Sequence, residues 1–249
     1  MTRIASHRGG TLEFGDSTPT GFRSTARLPL EEVEFDLHPS IDGAIMVHHD
    51  PTLDGTTDKS GEICKLTEAE IRAARINYSV GEHPVSLAEL CELYADSAVD
   101  FRCEFKPDCN GVPYSDFVPK AIKVLKHHNM LKRTGFSSFL LATLDELARH
   151  TDSTRLWLVS PAVQTQLGLK AVIEVAQAHG IPEIGLNIDR ADTQVMAQVE
   201  QAGIEFGCWA AHDAAQITKA LQLKVKVFTT DRPSLAIALR TSFAREAGQ

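Results

Sequence analysis

The sequence predicts a (β/α)8 barrel of the TIM type, an α/β fold, with a small inserted subdomain after strand 2. Three observations carry this expectation. Short apolar runs, each too short for a helix and rich in β-branched or aromatic residues, recur along the 249 residues. Helix-like segments separate them, which is the alternation that builds a parallel sheet. One stretch, 38–84, breaks the alternation with a hairpin signal followed by irregular sequence.

In chain order the strand runs are RIAS, VEFDL, FRCEF, TGFSS, RLWLVS, EIGLNI, EFGCWA and KVFTT. Helices are expected over 85–97, 115–128, 143–150, 168–179, 192–202 and 213–222, with Ser86, Thr143 and Asp213 as N-caps. A doubly wound open sheet is the alternative, but no GxGxxG follows the first run. No Pro, Gly or Ser-rich linker divides the chain, so residues 1–249 read as one domain. The insertion at about 38–84 would lie over the barrel mouth.

Composition narrows the function classes. A net charge of -8 and a pI near 5.7 exclude a general nucleic-acid binder, which needs a basic face. An anionic substrate must therefore be met by local cations. No apolar run approaches the length of a membrane span, and MTRIASHRGG lacks the apolar core of a signal peptide, so a cytoplasmic location is expected. Cys64, Cys91, Cys103, Cys109 and Cys208 are odd in number and scattered, which suits free thiols rather than disulfides or zinc.

The second run poses the chemical question. Residues two apart in a strand share a face, so Glu34 and Asp36 project together while Val33, Phe35 and Leu37 point the other way. Two carboxylates on an apolar strand require a cation, a basic neighbour or solvent. Asp42-Gly43 reads as a two-residue hairpin turn with AIMVHH as the returning strand. Ideal closure sets Asp36 opposite His49 and Leu37 opposite His48, so His49 shares the acidic face and His48 is a bystander. Pro39 can slip the register by one residue and exchange the two histidines.

In FRCEFKPD, Arg102, Glu104 and Lys106 share one face. The ends of neighbouring barrel strands lie side by side, which brings Glu104 towards Glu34 and Asp36. Three carboxylates without cysteine or clustered histidine suit a hard divalent cation, Mg2+ or Ca2+. Arg8, Arg102 and Lys106 would supply positive charge. SHRGG places His7 and Arg8 at the C-terminal end of strand one, and two histidines are the minimum for general acid and general base. By ordinary expectation His38, His127, His128, His150, His179 and His212 are solvated loop or helix residues, Trp209 is core, and Asp231 caps a helix beginning at Pro233.

The order of motifs SHRGG, EFDLHPSIDGAIMVHHDPTLDGTT, CEFKP, SSF, CWAAHD and FTTDRPSLAIAL resembles the glycerophosphodiester phosphodiesterase family over nearly the whole chain. The resemblance implies a (β/α)8 barrel and metal-dependent hydrolysis of a small-molecule glycerophosphodiester to glycerol 3-phosphate and an alcohol. It implies catalytic His7 and His49, metal ligands Glu34, Asp36 and Glu104, phosphate contact from Arg8 and Lys106, and Trp209 near the pocket wall. Two departures stand out. GDST replaces the family's Pro-Glu-Asn-Thr, putting Asp16 where a longer acid stands, and Gly55 replaces an arginine. Both could reshape the polyol or leaving-group pocket, so a sugar-containing phosphodiester is an alternative substrate. A barrel that binds a phosphodiester or sugar phosphate without turning it over is a second alternative.

Overall fold

The computed structural model describes residues 1–77 and 79–247; Tyr78, inside the expected insertion, and residues 248 and 249 lie outside the described residues. Strands β1 (Arg3–His7) and β2 (Glu32–Pro39) are followed by a short antiparallel strand, β3 (Ile45–Val47). Then come β4 (Asp100–Phe105), β5 (Thr134–Ser138), β6 (Arg155–Val159), β7 (Glu183–Asn187), β8 (Glu205–Trp209) and β9 (Val227–Thr230). With β3 set aside, each strand pairs in parallel with the next and β9 returns to β1. The eight expected runs thus form a closed eight-stranded parallel barrel.

Ten helices accompany the strands among the described residues: α1 (Thr11–Phe14), α2 (Pro19–Thr25), α3 (Glu68–Arg72), α4 (Leu87–Leu93), α5 (Phe117–His127), α6 (Leu141–His150), α7 (Pro161–Ala178), α8 (Thr193–Gln201), α9 (Ala214–Leu223) and α10 (Pro233–Ala247). Ser86 caps α4, and Asp213 caps α9 in a capping box with Gln216. Thr143 does not cap: it lies inside α6, whose N-cap is Leu140. The helix expected from 168 starts at Pro161 behind the Ser160 cap, and Gly168, with φ of 76°, interrupts its geometry. That interruption is why the periodicity read as a later start.

Alternation along the strands builds two compartments. Val33, Phe35 and Leu37 of β2, with Phe101, Cys103 and Phe105 of β4, are buried between barrel and helices. Edge-on aromatic contacts, Phe35 to Phe101 at 4.9 Å and Tyr94 to Phe101 at 5.3 Å, lock that layer. The polar partners, Glu32, Glu34 and Asp36 with Arg102 and Glu104, face the barrel interior. At its N-terminal end they make an ion-pair floor. Arg102 Nε meets Glu32 Oε2 at 2.5 Å and its Nη1 meets Glu183 Oε1 at 3.3 Å. Arg3 adds a 2.8 Å contact to Glu32, and Lys226 a 2.6 Å contact to Glu183. Arg102 is thereby committed to the floor, contrary to the expectation of a free cation for substrate.

The hairpin closes differently from the two-residue turn expected. Observed pairs are Leu37 with Val47, His38 with Met46 and Pro39 with Ile45, one residue out of the expected register. Ser40–Ala44 form a longer loop, closed by Ser40 N–H to Ala44 O at 2.8 Å, with Gly43 at φ 89° where side chains are disfavoured. From there to residue 84 the chain builds a small second apolar cluster of Met46, Leu53, Ile63, Ile71 and Ala74.

Candidate active site

Barrel register brings the acids together. His7 pairs with Glu34 across β1 and β2, and Asp36 pairs with Glu104 across β2 and β4. Neighbouring strands lie about 4.8 Å apart. One carboxylate oxygen from each of Glu34, Asp36 and Glu104 lies within 4.8 Å of the others. All three side chains are buried. Burial, then the charges of Asp36 and Glu104, push the Glu34 pKa well up. Burial, partly offset by Lys106, raises Glu104 to about 7. Burial would also raise Asp36, but Lys106 at 3.4 Å and Arg8 at 3.2 Å hold it well down.

Three such carboxylates cannot all ionise by themselves. Glu34 Oε2 is buried and accepts no hydrogen bond, its nearest charge partner being His7 Nε2 at 3.8 Å. Asp36 Oδ2 and Glu104 Oε1 likewise accept none, although cations lie close by. An all-oxygen donor set with orphaned lone pairs fits a hard divalent cation.

Two histidines flank this cluster, and each is oriented by a carboxylate. His7 Nδ1 lies 2.5 Å from Asp231 Oδ1, and His49 Nδ1 lies 2.7 Å from Asp50 Oδ1. A carboxylate only accepts, so each Nδ1 carries the proton and Nε2 is left for chemistry. Burial lowers the pKa of His49, with Lys106 and Arg8 adding to the effect against Asp36. Both histidines line a cavity of about 270 Å³ together with Arg8, Glu34, Glu104 and Lys106. Its lining also includes the apolar Phe139, Leu158 and Trp209. Phe139 and Trp209 pack edge-on at 5.9 Å.

His49 reaches the cavity by a route other than the hairpin arithmetic. In the observed register the His48 N–H donates to Asp36 O at 3.0 Å, which would put His48 on the acidic side had the strand continued. The strand instead stops at Val47, and the bend that follows turns His48 inward, where its Nδ1 donates to Asp50 O and its Nε2 meets Thr56 Oγ1, both at 2.8 Å. His49 is delivered to the mouth by this bend.

Arg8 holds a left-handed backbone, φ 49°, uncommon for a side-chain-bearing residue, and its N–H donates to Glu34 O at 2.9 Å. Its guanidinium spans Asp36 and Asp16, the latter at 2.8 Å. Asp16 therefore sits behind Arg8 and is not among the cavity-lining residues. At Gly55 a Cβ would come within 3.0 Å of Asp50 Oδ2, so the missing side chain leaves Asp50 its place against His49.

Three residues dismissed on sequence grounds belong to this region. His38 is fully buried, not solvated: its Nε2 donates to His49 O at 3.1 Å and its Nδ1 accepts from Tyr114 at 2.9 Å. Burial lowers its pKa to about 4, keeping it neutral. His212 lines the cavity and receives the Asp231 N–H on Nδ1 at 3.1 Å. Asp231 serves the two histidines instead of capping α10, whose first turn is met by Glu13 at the Ser234 N–H, 3.1 Å. Asp231 stood next to a helix start in sequence, and nothing local there marks a partner 224 residues away. His127 and His150, by contrast, are exposed as expected.

The model of the glycerophosphoryl diester phosphodiesterase family matches residues 7–235. A glycerophosphodiester phosphodiesterase of Caldanaerobacter subterraneus subsp. tengcongensis is 25% identical over 246 residues, covering 96% of this chain and 97% of that one. A crystal structure from Agrobacterium tumefaciens, provisionally assigned as a glycerophosphoryl diester phosphodiesterase, is 64% identical with a TM-score of 0.98, over 98% of this chain and 99% of that one. An Oleispira antarctica phosphodiesterase, solved with its product sn-glycerol-3-phosphate, shares the fold at a TM-score of 0.82 and 22% identity, over 96% of each chain.

Proposed function

Because the chain belongs to the glycerophosphoryl diester phosphodiesterase family, a family of enzymes, we propose that it hydrolyses a glycerophosphodiester to glycerol 3-phosphate and an alcohol. The product recorded for the Oleispira antarctica phosphodiesterase supports that product class. One observation carries the reading: two carboxylate-oriented imidazoles line the same cavity as a buried three-carboxylate cluster, together with Lys106 and Arg8.

In this reading Glu34, Asp36 and Glu104 hold a divalent cation, Mg2+ or Ca2+. Such a cation supplies Lewis-acid polarisation of the phosphoryl group when bound. Lys106 and Arg8 neutralise charge that builds on the phosphoryl oxygens. His7, with the closer and better shielded carboxylate partner, takes a proton at Nε2 from the attacking hydroxyl, whether water or a hydroxyl of the substrate. His49 Nε2, once protonated, gives its proton to the departing alcohol. Trp209 and Phe139 form the apolar wall against which an ester arm lies.

The test is glycerol 3-phosphate release from glycerophosphocholine, glycerophosphoethanolamine and sugar phosphodiesters, with and without a chelator. Release should need added Mg2+ or Ca2+, and His7→Ala or His49→Ala should lower turnover at least about a hundredfold with the fold intact. Unchanged release after chelation would remove the cation from the reading, and near-normal turnover in both variants would remove the histidines.

A further inference from the structure

A third imidazole stands on the cavity wall, and one hydrogen bond decides what it can do. His212 lies in the loop between β8 and α9, its ring centroid 5.6 Å from that of His7, and it lines the same cavity as Trp209. The Asp231 backbone N–H, a donor whose direction the chain fixes, points at His212 Nδ1 from 3.1 Å. Nδ1 is therefore an acceptor, and the ring proton resides on Nε2. The nearby Asp231 Oδ2, at 3.2 Å from the same nitrogen, belongs to a carboxylate that already takes the His7 proton. Nε2 lies on the ring edge away from Asp231, and among the described residues no group accepts its proton.

An uncharged donor on a cavity wall calls for an acceptor on the ligand. In the reading above the phosphoryl group is met by Lys106, Arg8 and the cation that the three carboxylates would hold. His212 stands next to His7 and lines the cavity together with Trp209, whose own indole N–H is spent on Gly185 O at 3.2 Å. A half-buried aromatic ring with no polar demand of its own, in one cavity with a neutral imidazole donor, suits a polyol: carbons against the ring, one hydroxyl on the donor. We propose that His212 Nε2–H donates to the terminal hydroxyl of the glycerol arm and makes the site prefer that arm over one lacking this hydroxyl. The proposal deepens, and rests on, the phosphodiesterase reading above.

The experiment compares kcat/KM for glycerophosphoethanolamine and for its deoxy analogue, with propane-1,2-diol esterified at its primary oxygen in place of glycerol so that the hydroxyl next to the phosphoester is kept, in wild type, His212→Ala and His212→Gln. Thermal unfolding of each variant controls for folding. Wild type should favour the glycerol substrate by about tenfold or more, as a site built around a substrate hydroxyl does. His212→Ala should lose that factor on the glycerol substrate alone, making the two substrates equal, while the Gln amide donor retains part of the preference. Equal losses on both substrates, or no preference in wild type, overturn the role of His212 and leave the phosphodiesterase reading standing. A wild type that turns over neither substrate overturns both together.

Discussion

In the proposed reaction Asp231 and Asp50 would act only through the imidazoles they touch, which would make each a positioning residue. Asp231→Asn and Asp50→Asn keep the shape but replace an acceptor-only carboxylate by an amide whose NH2 can donate to Nδ1 and move the ring proton to Nε2. Each should lower kcat by more than about tenfold with little change in KM, because an imidazole held in the wrong tautomer loses part of its acid-base contribution. Wild-type kcat in both would refute the orienting role. At this scale the acids were the most legible feature, since period-two alternation alone assigns Glu34, Asp36 and Glu104 to one interior. His49 does line the cavity, but the register from which its position was read does not occur. His38, His212 and Asp231 were not legible, because their roles depend on partners 76 to 224 residues distant or on a backbone N–H across a loop.

Among elements, the excursion between β3 and α4 is the one with its own apolar cluster, and it carries the bend that presents His49. Leu53 is fully buried there, and its carbonyl anchors Thr57, next to the Thr56 that holds His48. Leu53→Ala should cost about 2–5 kcal/mol of local stability. Its signature should be faster amide exchange over 45–75 and reduced turnover, with barrel strands protected as in wild type. Uniform loss of protection across the barrel would instead make the cluster part of the main core. Strand positions were readable because β-branched and aromatic runs are short and punctuated. The hairpin was not, because Asp-Gly marks a turn without specifying how many residues it encloses, and here Ser40 also closes the loop.

For the whole molecule, the ion-pair floor is where charge meets stability. Arg102→Met leaves Glu32 and Glu183 buried beside a neutral side chain, and should destabilise the barrel by about 3–5 kcal/mol in denaturant unfolding. The pH dependence has a definite sign. Burial would raise the Glu32 pKa, but Arg102 and Arg3 bring it below its ordinary value. A carboxylate depressed in the folded state stabilises above its unfolded pKa, near 4.5, and that contribution is lost as pH falls through the folded value. Wild type should therefore lose stability below about pH 4.5 more steeply than Arg102→Met. Parallel acid limbs would show that the floor does not set acid stability. Closure of the barrel was legible from the count of alternating elements. The floor was not, since Arg102 shares a strand face with Glu104 and sequence alone does not say at which end of the barrel it pairs.

The two halves of the site differ in when they can exist. Glu34, Asp36, His49 and Glu104 come from β2, the bend after β3 and β4, all in the first half of the chain, whereas His7 meets Asp231 only where the first strand zips to the last. Contacts so far apart in the chain form late, and during synthesis at about 5–20 residues per second the closing strand emerges last. Turnover is then a reporter of ring closure. In refolding, terbium luminescence from the acidic cluster should return before hydrolysis does, and the lag between them times the sealing of the seam between β1 and β9. Simultaneous recovery would mean that the acids, too, wait for the ring to shut.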